Sequence, residues 1–252
     1  MKKLKTTAFT LAEVLITLGI IGVVAAMTIP TLLANVNAGQ YRSQLKKQIS
    51  NLSQAGLVAQ EQYGFDYATA ETCRIFNTGD PNYFNPEENQ NRCALIAGTQ
   101  KGATYLGYGV QDLPTEYKNK WNPKNLTYYT FTSSTHLFQL ADGAIVGFPQ
   151  YMPEYGLNKG HCSVGIGETL NQKLQDSNWK NGCLGFIDVN GISKPNKETK
   201  CNDSRSNSSQ YNLNNPCTVK SKDVKDIYPV VFHDTTVEPA TAAGKYVLNS
   251  YK

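Results

Sequence analysis

The chain has 252 residues, six cysteines and a formal net charge of +4 from 24 basic and 20 acidic side chains. Lys2, Lys3 and Lys5 account for most of that excess, so the remainder is nearly neutral and the overall charge is weak evidence for nucleic-acid binding, which needs a local basic patch. With 40% hydrophobic residues, the chain is long enough to bury one sizeable core.

Residues 1–8, MKKLKTTA, are basic, free of acids and end in a small residue. The next segment, Phe9–Leu33, reads FTLAEVLITLGIIGVVAAMTIPTLL and holds a single ionisable side chain, Glu13. About 20 apolar residues cross a bilayer as a helix. A charge inside such a span costs at least ~2.5–3.5 kcal/mol, so Glu13 calls for a partner and a task. The three lysines hold the N-terminus on the cytoplasmic side. Three readings compete: an uncleaved signal anchor, a secretory signal cut near Val24-Ala25-Ala26, and a cut before the span, between Ala8 and Phe9. Against the secretory signal, the apolar run continues past Ala26 to Leu33.

In the third arrangement, the run AFTLAEVLITLGIIG from Ala8 to Gly22 resembles the class III signal of type IV pilins and pseudopilins. The resemblance covers about the first 60 residues. It implies cleavage between Ala8 and Phe9 by a prepilin peptidase, N-methylation of Phe9, and a glutamate, Glu13, as the fifth residue of the processed chain. Pro30 also falls where the family bends its helix. Ala8 departs from the glycine usual before the cut; it is small enough for the peptidase, with slower processing expected.

The resemblance further implies an α+β, pilin-like fold: a long N-terminal helix packed on an antiparallel sheet of about four strands. The implied partners are other pilin or pseudopilin subunits, the peptidase, an inner-membrane assembly platform with its ATPase, and membrane lipid before assembly. Nucleic acid is not an expected partner. The implied location is the inner membrane, single-pass with a cytoplasmic N-terminus, then a periplasmic or extracellular filament. Glu13 has a physical role in that setting. The amine of Phe9, buried among packed helices, needs an opposite charge, and the pair sets axial register as a buried polar group does in a coiled coil.

The first helix is expected over 9–63. Gly19, Gly22 and Pro30 loosen its interior. From Leu45 the apolar residues Ile49, Leu52, Gly56, Ala59 and Tyr63 recur every three or four positions, an amphipathic pattern. This face is expected to pack on the sheet while the rest serves polymerisation. Gly64 is the expected stop, leaving residues 64–252 as one head domain.

Residues 65–126 read as irregular, with short helical pieces near Cys73 and over 93–97. Strands are expected at 126–132, 136–140, 144–148, 183–189, 228–233 and 245–248, with Asp142-Gly143 as a hairpin turn. A Pro/Ala/Thr-rich turn is expected before the last. Lys118, Lys120 and Lys124 near Tyr117, Trp121, Tyr128 and Tyr129 make an aromatic–basic surface or a solvated loop. Residues 200–216 read as an exposed polar loop.

The six cysteines, Cys73, Cys93, Cys162, Cys183, Cys201 and Cys217, all follow the anchor. An exported head makes three disulfides the first reading. Sequence does not choose among the connectivities; sequence neighbours, 73–93, 162–183 and 201–217, are the expected pairs.

The run FIDVNGISKPN, 186–196, resembles a DxNGxxxPN segment of pilin-like proteins. Some pseudopilins bind calcium in a loop after the sheet, so Asp188, Asn190 and Asn196 are candidate ligands. The twelfth position of an EF-hand register is Thr199 rather than glutamate, and an Asx turn is the alternative. No other cofactor is expected.

The three histidines, His136, His161 and His233, are scattered. Ser163 lacks a GxSxG setting, and phosphate-loop and HExxH motifs are missing. The expectation is a structural, non-enzymatic, minor subunit of a type IV pilus or type II secretion pseudopilus. The alternative is a filament-tip or membrane-anchored module that binds a surface, DNA or another ligand.

Overall fold

A computed structural model describes residues 10–73, 83–121, 123, 126, 135–149, 161–203 and 211–250. The leader, Phe9, residues 127–132 of the expected strand, Lys124, and residues 204–210 of the polar loop lie outside them.

Helix α1 runs over Leu11–Tyr63, about 80 Å at ~1.5 Å per residue. Thr10 caps it: its hydroxyl accepts from the Glu13 amide while the Glu13 carboxylate accepts from the Thr10 amide. This reciprocal pair satisfies two N–H groups that a helix start otherwise leaves bare. Gly64 ends the helix at φ 74°, donating its N–H to the Gln60 carbonyl. Only a residue without a Cβ adopts that left-handed conformation at little cost.

The head is built on a meander. Strands β1 (Thr104–Tyr108), β2 (Thr135–Gln139), β3 (Ile145–Pro149), β4 (Leu184–Asp188), β5 (Ile227–His233) and β6 (Thr236–Pro239) lie side by side in chain order. Every neighbouring pair is antiparallel. Around it lie the short helices α2 (Arg92–Thr99), α3 (Thr115–Lys118), α4 (Leu170–Lys173), α5 (Ser177–Cys183) and α6 (Ala242–Asn249).

Both faces of the sheet are covered. Phe138, Val146, Phe148, Ile187, Val230 and Phe232 pack with Leu45, Leu52 and Ala59 of α1. Leu137, Ile145, Leu184, Phe186 and Val231 point the other way, against Trp121, Leu174 and Trp179. Two-sided burial explains why β4 and β5 read as nearly unbroken apolar runs rather than as alternation. The Asp142-Gly143 turn joins β2 to β3, with Gly143 at φ 91° and the Leu140 amide bonded to the Ala144 carbonyl. Gly147 and Gly185 leave room for the rings of Phe186 and Phe232, which lie over them where a Cβ would stand.

Several expectations are corrected. The sheet has six strands rather than about four. The segment 245–248 belongs to α6, whose start is set by Thr241 accepting from the Gly244 amide; this cap overrides the apolar run Tyr246–Leu248. The presumed turn before it contains β6, and the irregular region contains β1. Residues 71–73 are not helical, and Glu71 pairs with Asn91; the residues just after Cys73 lie outside the described ones.

The disulfides are Cys73–Cys93, Cys162–Cys183 and Cys201–Cys217, separated by 20, 21 and 16 residues. In the chain-entropy picture a closed loop of this length contributes about 3 kcal/mol.

Candidate functional site

The first part of α1 stands clear of the head. From Thr10 to Leu33 every residue except Ala25 is exposed, with Leu11 at 80% and Met27 at 72%. This stretch is long and apolar enough to cross a membrane. Its hydroxyls turn inward: Thr17 donates to the Val14 carbonyl, Thr28 to Val24 and Thr31 to Thr28, so they present little unmet polarity to an apolar surround. Pro30 sits inside an unbroken helix but has no N–H for the Ala26 carbonyl four residues back.

Glu13 is the one ionisable group in this exposed span. Its Oε2 accepts from the Thr10 amide and hydroxyl, each at 2.8 Å. Within a single chain the partner of Glu13 is therefore its own helix cap. The T-x-x-E signature of Thr10–Glu13 was readable in the sequence.

Beyond Ala38 the helix is tied to the head. Leu45, Gln48, Leu52, Ala55, Gly56 and Ala59 are buried, with Ile49 and Tyr63 packed alongside. Polar contacts fix the register. Tyr67 donates its hydroxyl to the Leu52 carbonyl at 2.7 Å, and the Val237 amide donates to the Ser53 hydroxyl at 3.0 Å. The hairpin tip clasps the helix: Asp142 Oδ2 accepts from Lys47 Nζ and Gln48 Nε2, both at 2.7 Å. The Thr235 carbonyl approaches Gly56 so closely that a Cβ there would lie 2.7 Å from it.

The calcium candidates fall at the end of β4. Asp188 is fully buried; its Oδ2 accepts from the Trp121 indole N–H at 2.8 Å and its Oδ1 from the Asn190 amide at 3.3 Å. Nearby, the Asp226 carboxylate accepts from the Asn196 and Lys197 amides at 2.7 and 2.8 Å. Burial, then the negative charge of Asp226, pushes the Asp188 carboxyl well above the ordinary range. Burial likewise raises Asp226. Both carboxylates face N–H donors, whose positive ends oppose a cation. Among the described residues no group of three or more His, Cys, Asp or Glu could hold a metal ion. Asp188 spends both carboxylate oxygens on N–H donors, whereas Asn190 and Asn196 each keep a buried side-chain oxygen with no hydrogen-bond partner among the described residues. The three residues form an Asx-bonded turn, closed by the Asn190 amide side chain donating to the Lys194 carbonyl at 3.3 Å. Asn196 takes φ 49°, a left-handed conformation that asparagine tolerates better than most residues.

Trp121 is fully buried and stacks on Phe186, which removes it from the aromatic–basic surface. Tyr117 spends its hydroxyl on Gln139 at 2.6 Å. The histidines occupy three different settings. His136 lies in β2 with Nδ1 2.9 Å from the Tyr105 hydroxyl, and burial pushes it down to about 4. His161 meets the Asn178 carbonyl. His233 lies in β5, 2.9 Å from Asp234 and 3.6 Å from Glu238; despite burial, those two carboxylates raise its pKa.

Arg92, at the start of α2, went unnoticed in the sequence. It is buried, and its guanidinium donates to the carbonyls of Gly182 and Tyr67 and to Cys162 Sγ. It links the layer of α2 to the Cys162–Cys183 bridge, and burial pulls it down to about 10. Arg92 and Asp226 are recognisable only once distant segments meet.

No family model, no curated protein and no solved structure matches the chain.

Proposed function

We propose that this chain is a structural subunit of a type IV pilus or type II secretion pseudopilus. It is cut before Phe9, methylated there, held in the inner membrane by the first part of α1 and assembled through that helix. The observation that carries this reading is the pairing of an exposed apolar helix with one acid, Glu13, near its start. An anchor alone gains nothing from that charge. A helix that leaves the membrane to pack among copies of itself gains a register mark, because a buried acid is stable only opposite a cation. The rigid clasp of the second half of α1 to the sheet supports the same reading, since force along the helix then reaches the head. Three disulfides suit a head displayed outside the cytoplasm.

Intact and N-terminal peptide mass spectrometry of the protein from native membranes tests this. The expected species begins at Phe9 with one added methyl group. A chain that begins at Met1, or one cut after Ala26, would overturn the filament reading.

A further inference from the structure

Where α1 emerges from its apolar stretch, the head overhangs it and leaves a cleft of about 440 Å³. One wall is helix: Leu33, Ala34 and Tyr41. The other carries Lys194, Lys222 and Lys225. Lys194 and Lys222 are exposed, Lys225 is half-buried, and none of the three is in an ion pair among the described residues. Lys225 Nζ donates to the Lys222 carbonyl, and the acids that flank these lysines in the chain bond neutral groups. Asp226 holds the amides of Asn196 and Lys197, and Asp223 accepts from the Asn202 side chain at 2.8 Å. The three lysines of this wall thus outnumber Asp223 and Asp226, and neither acid is in an ion pair with them among the described residues.

The level of this cleft along the helix identifies its occupant. A hydrocarbon core of ~30 Å takes ~20 residues of helix. Measured from Phe9, the core ends near Pro30, which lines the cleft on its membrane side. The three lysines then stand at the depth of the outward-facing headgroups. A ligand fitting this place needs an anionic phosphate at one end and an acyl chain at the other. We infer that the cleft binds one anionic phospholipid, its phosphate among Lys194, Lys222 and Lys225 and its chain along Leu33 and Ala34. The inference rests on the membrane-anchored reading of α1. Bound this way, lipid holds the head against the membrane before assembly and is released when the subunit leaves.

Full-length protein in a zwitterionic detergent, given phosphatidylglycerol or phosphatidylcholine and weighed by native mass spectrometry, tests the site. The wild type is expected to retain one phosphatidylglycerol in preference to phosphatidylcholine. The double variant K194E/K222E should lose about thirtyfold or more of that retention. A control of equal net charge, K101E/K118E, should keep it. Equal retention of the two lipids, unchanged retention in K194E/K222E, or full displacement by inorganic phosphate would overturn the proposal. So would occupation of the cleft by a second copy of the chain, seen as a dimer abolished by the same variant. Carbonate extraction of native membranes separates the two readings: protein released by carbonate defeats the anchor, whereas protein that stays embedded without lipid preference defeats the cleft alone.

Discussion

Glu13 caps its own helix, and the proposed function gives it a second duty that one substitution separates from the first. As the N3 residue of a capping box it bonds the Thr10 amide, and glutamine does the same without charge. As a register mark it must be ionised. Glu13→Gln should keep the helix start and membrane insertion yet fail to enter filaments. Glu13→Ala should fail in assembly and also lose about 1 kcal/mol of capping. Filament incorporation scored by shearing and immunoblotting checks this, and normal entry of the glutamine variant would leave capping as the sole role. Asp188 poses the opposite case, an acid that the fold prefers neutral. Its folded pKa lies above the unfolded value, so its contribution is fully present below the unfolded pKa and is lost as pH rises through the folded one. Asp226, just before β5, and Tyr41 from α1 share this environment. Asp188→Asn keeps an acceptor for the Trp121 indole and carries no charge. The gain in melting temperature over wild type should grow from about pH 4 to about pH 8. A constant difference across that range would remove the account.

At the scale of elements, the decisive contact is the crossing of α1 over the β5–β6 turn. Gly56 allows it, because the Thr235 carbonyl and the Tyr67 ring occupy the space a side chain would need. Backbone and a fully buried ring cannot give way cheaply. Gly56→Ala should cost about 1–3 kcal/mol by overpacking, despite the better helix propensity of alanine. Chemical denaturation of the full chain in detergent measures it. A stabilised variant would mean that helix and turn slide past each other freely. The hairpin tip shows a second coupling. Asp142 shapes its own turn by accepting from the Ala144 amide, and with its other oxygen it holds Lys47 and Gln48 of α1. One residue thus sets a local bend and a long-range docking.

Across the whole molecule, α1 is one continuous rod with two environments. Its first half offers apolar surface outward, and its second half belongs to the head's core. Local chemistry made the rod legible in the sequence: the unbroken apolar run, the three-and-four spacing after Leu45, and Gly64 at the stop. The same holds for the Asp142-Gly143 hairpin and for β4 and β5, whose β-branched and aromatic runs mark strands whatever their partners. The candidate assembly residues were equally legible, since Glu13 and Pro30 declare themselves against their neighbours.

Other features were decided only by tertiary contacts. The strands β1 and β6 are short, and Gly107 and Pro239 blur the signal of their Thr, Tyr and Val residues; each pairs with a neighbour that supplies the hydrogen-bonding edge. The segment 245–248 turned from expected strand to helix because a threonine cap and packing on β5 and β6 outweighed its apolar run. The burial of Trp121 on Asp188 and the meeting of Asp188 with Asp226 depend on segments far apart in the chain, whereas the disulfides join the sequence neighbours that were expected. By itself the sequence determined the helix, its charge mark and the core strands, because those follow from spacings within one or two turns. The tertiary structure decided the two-sided burial of the sheet, the inward-facing acids and the lysine-lined cleft beside α1. Those arise from contacts whose entropic cost is met only when the whole head closes.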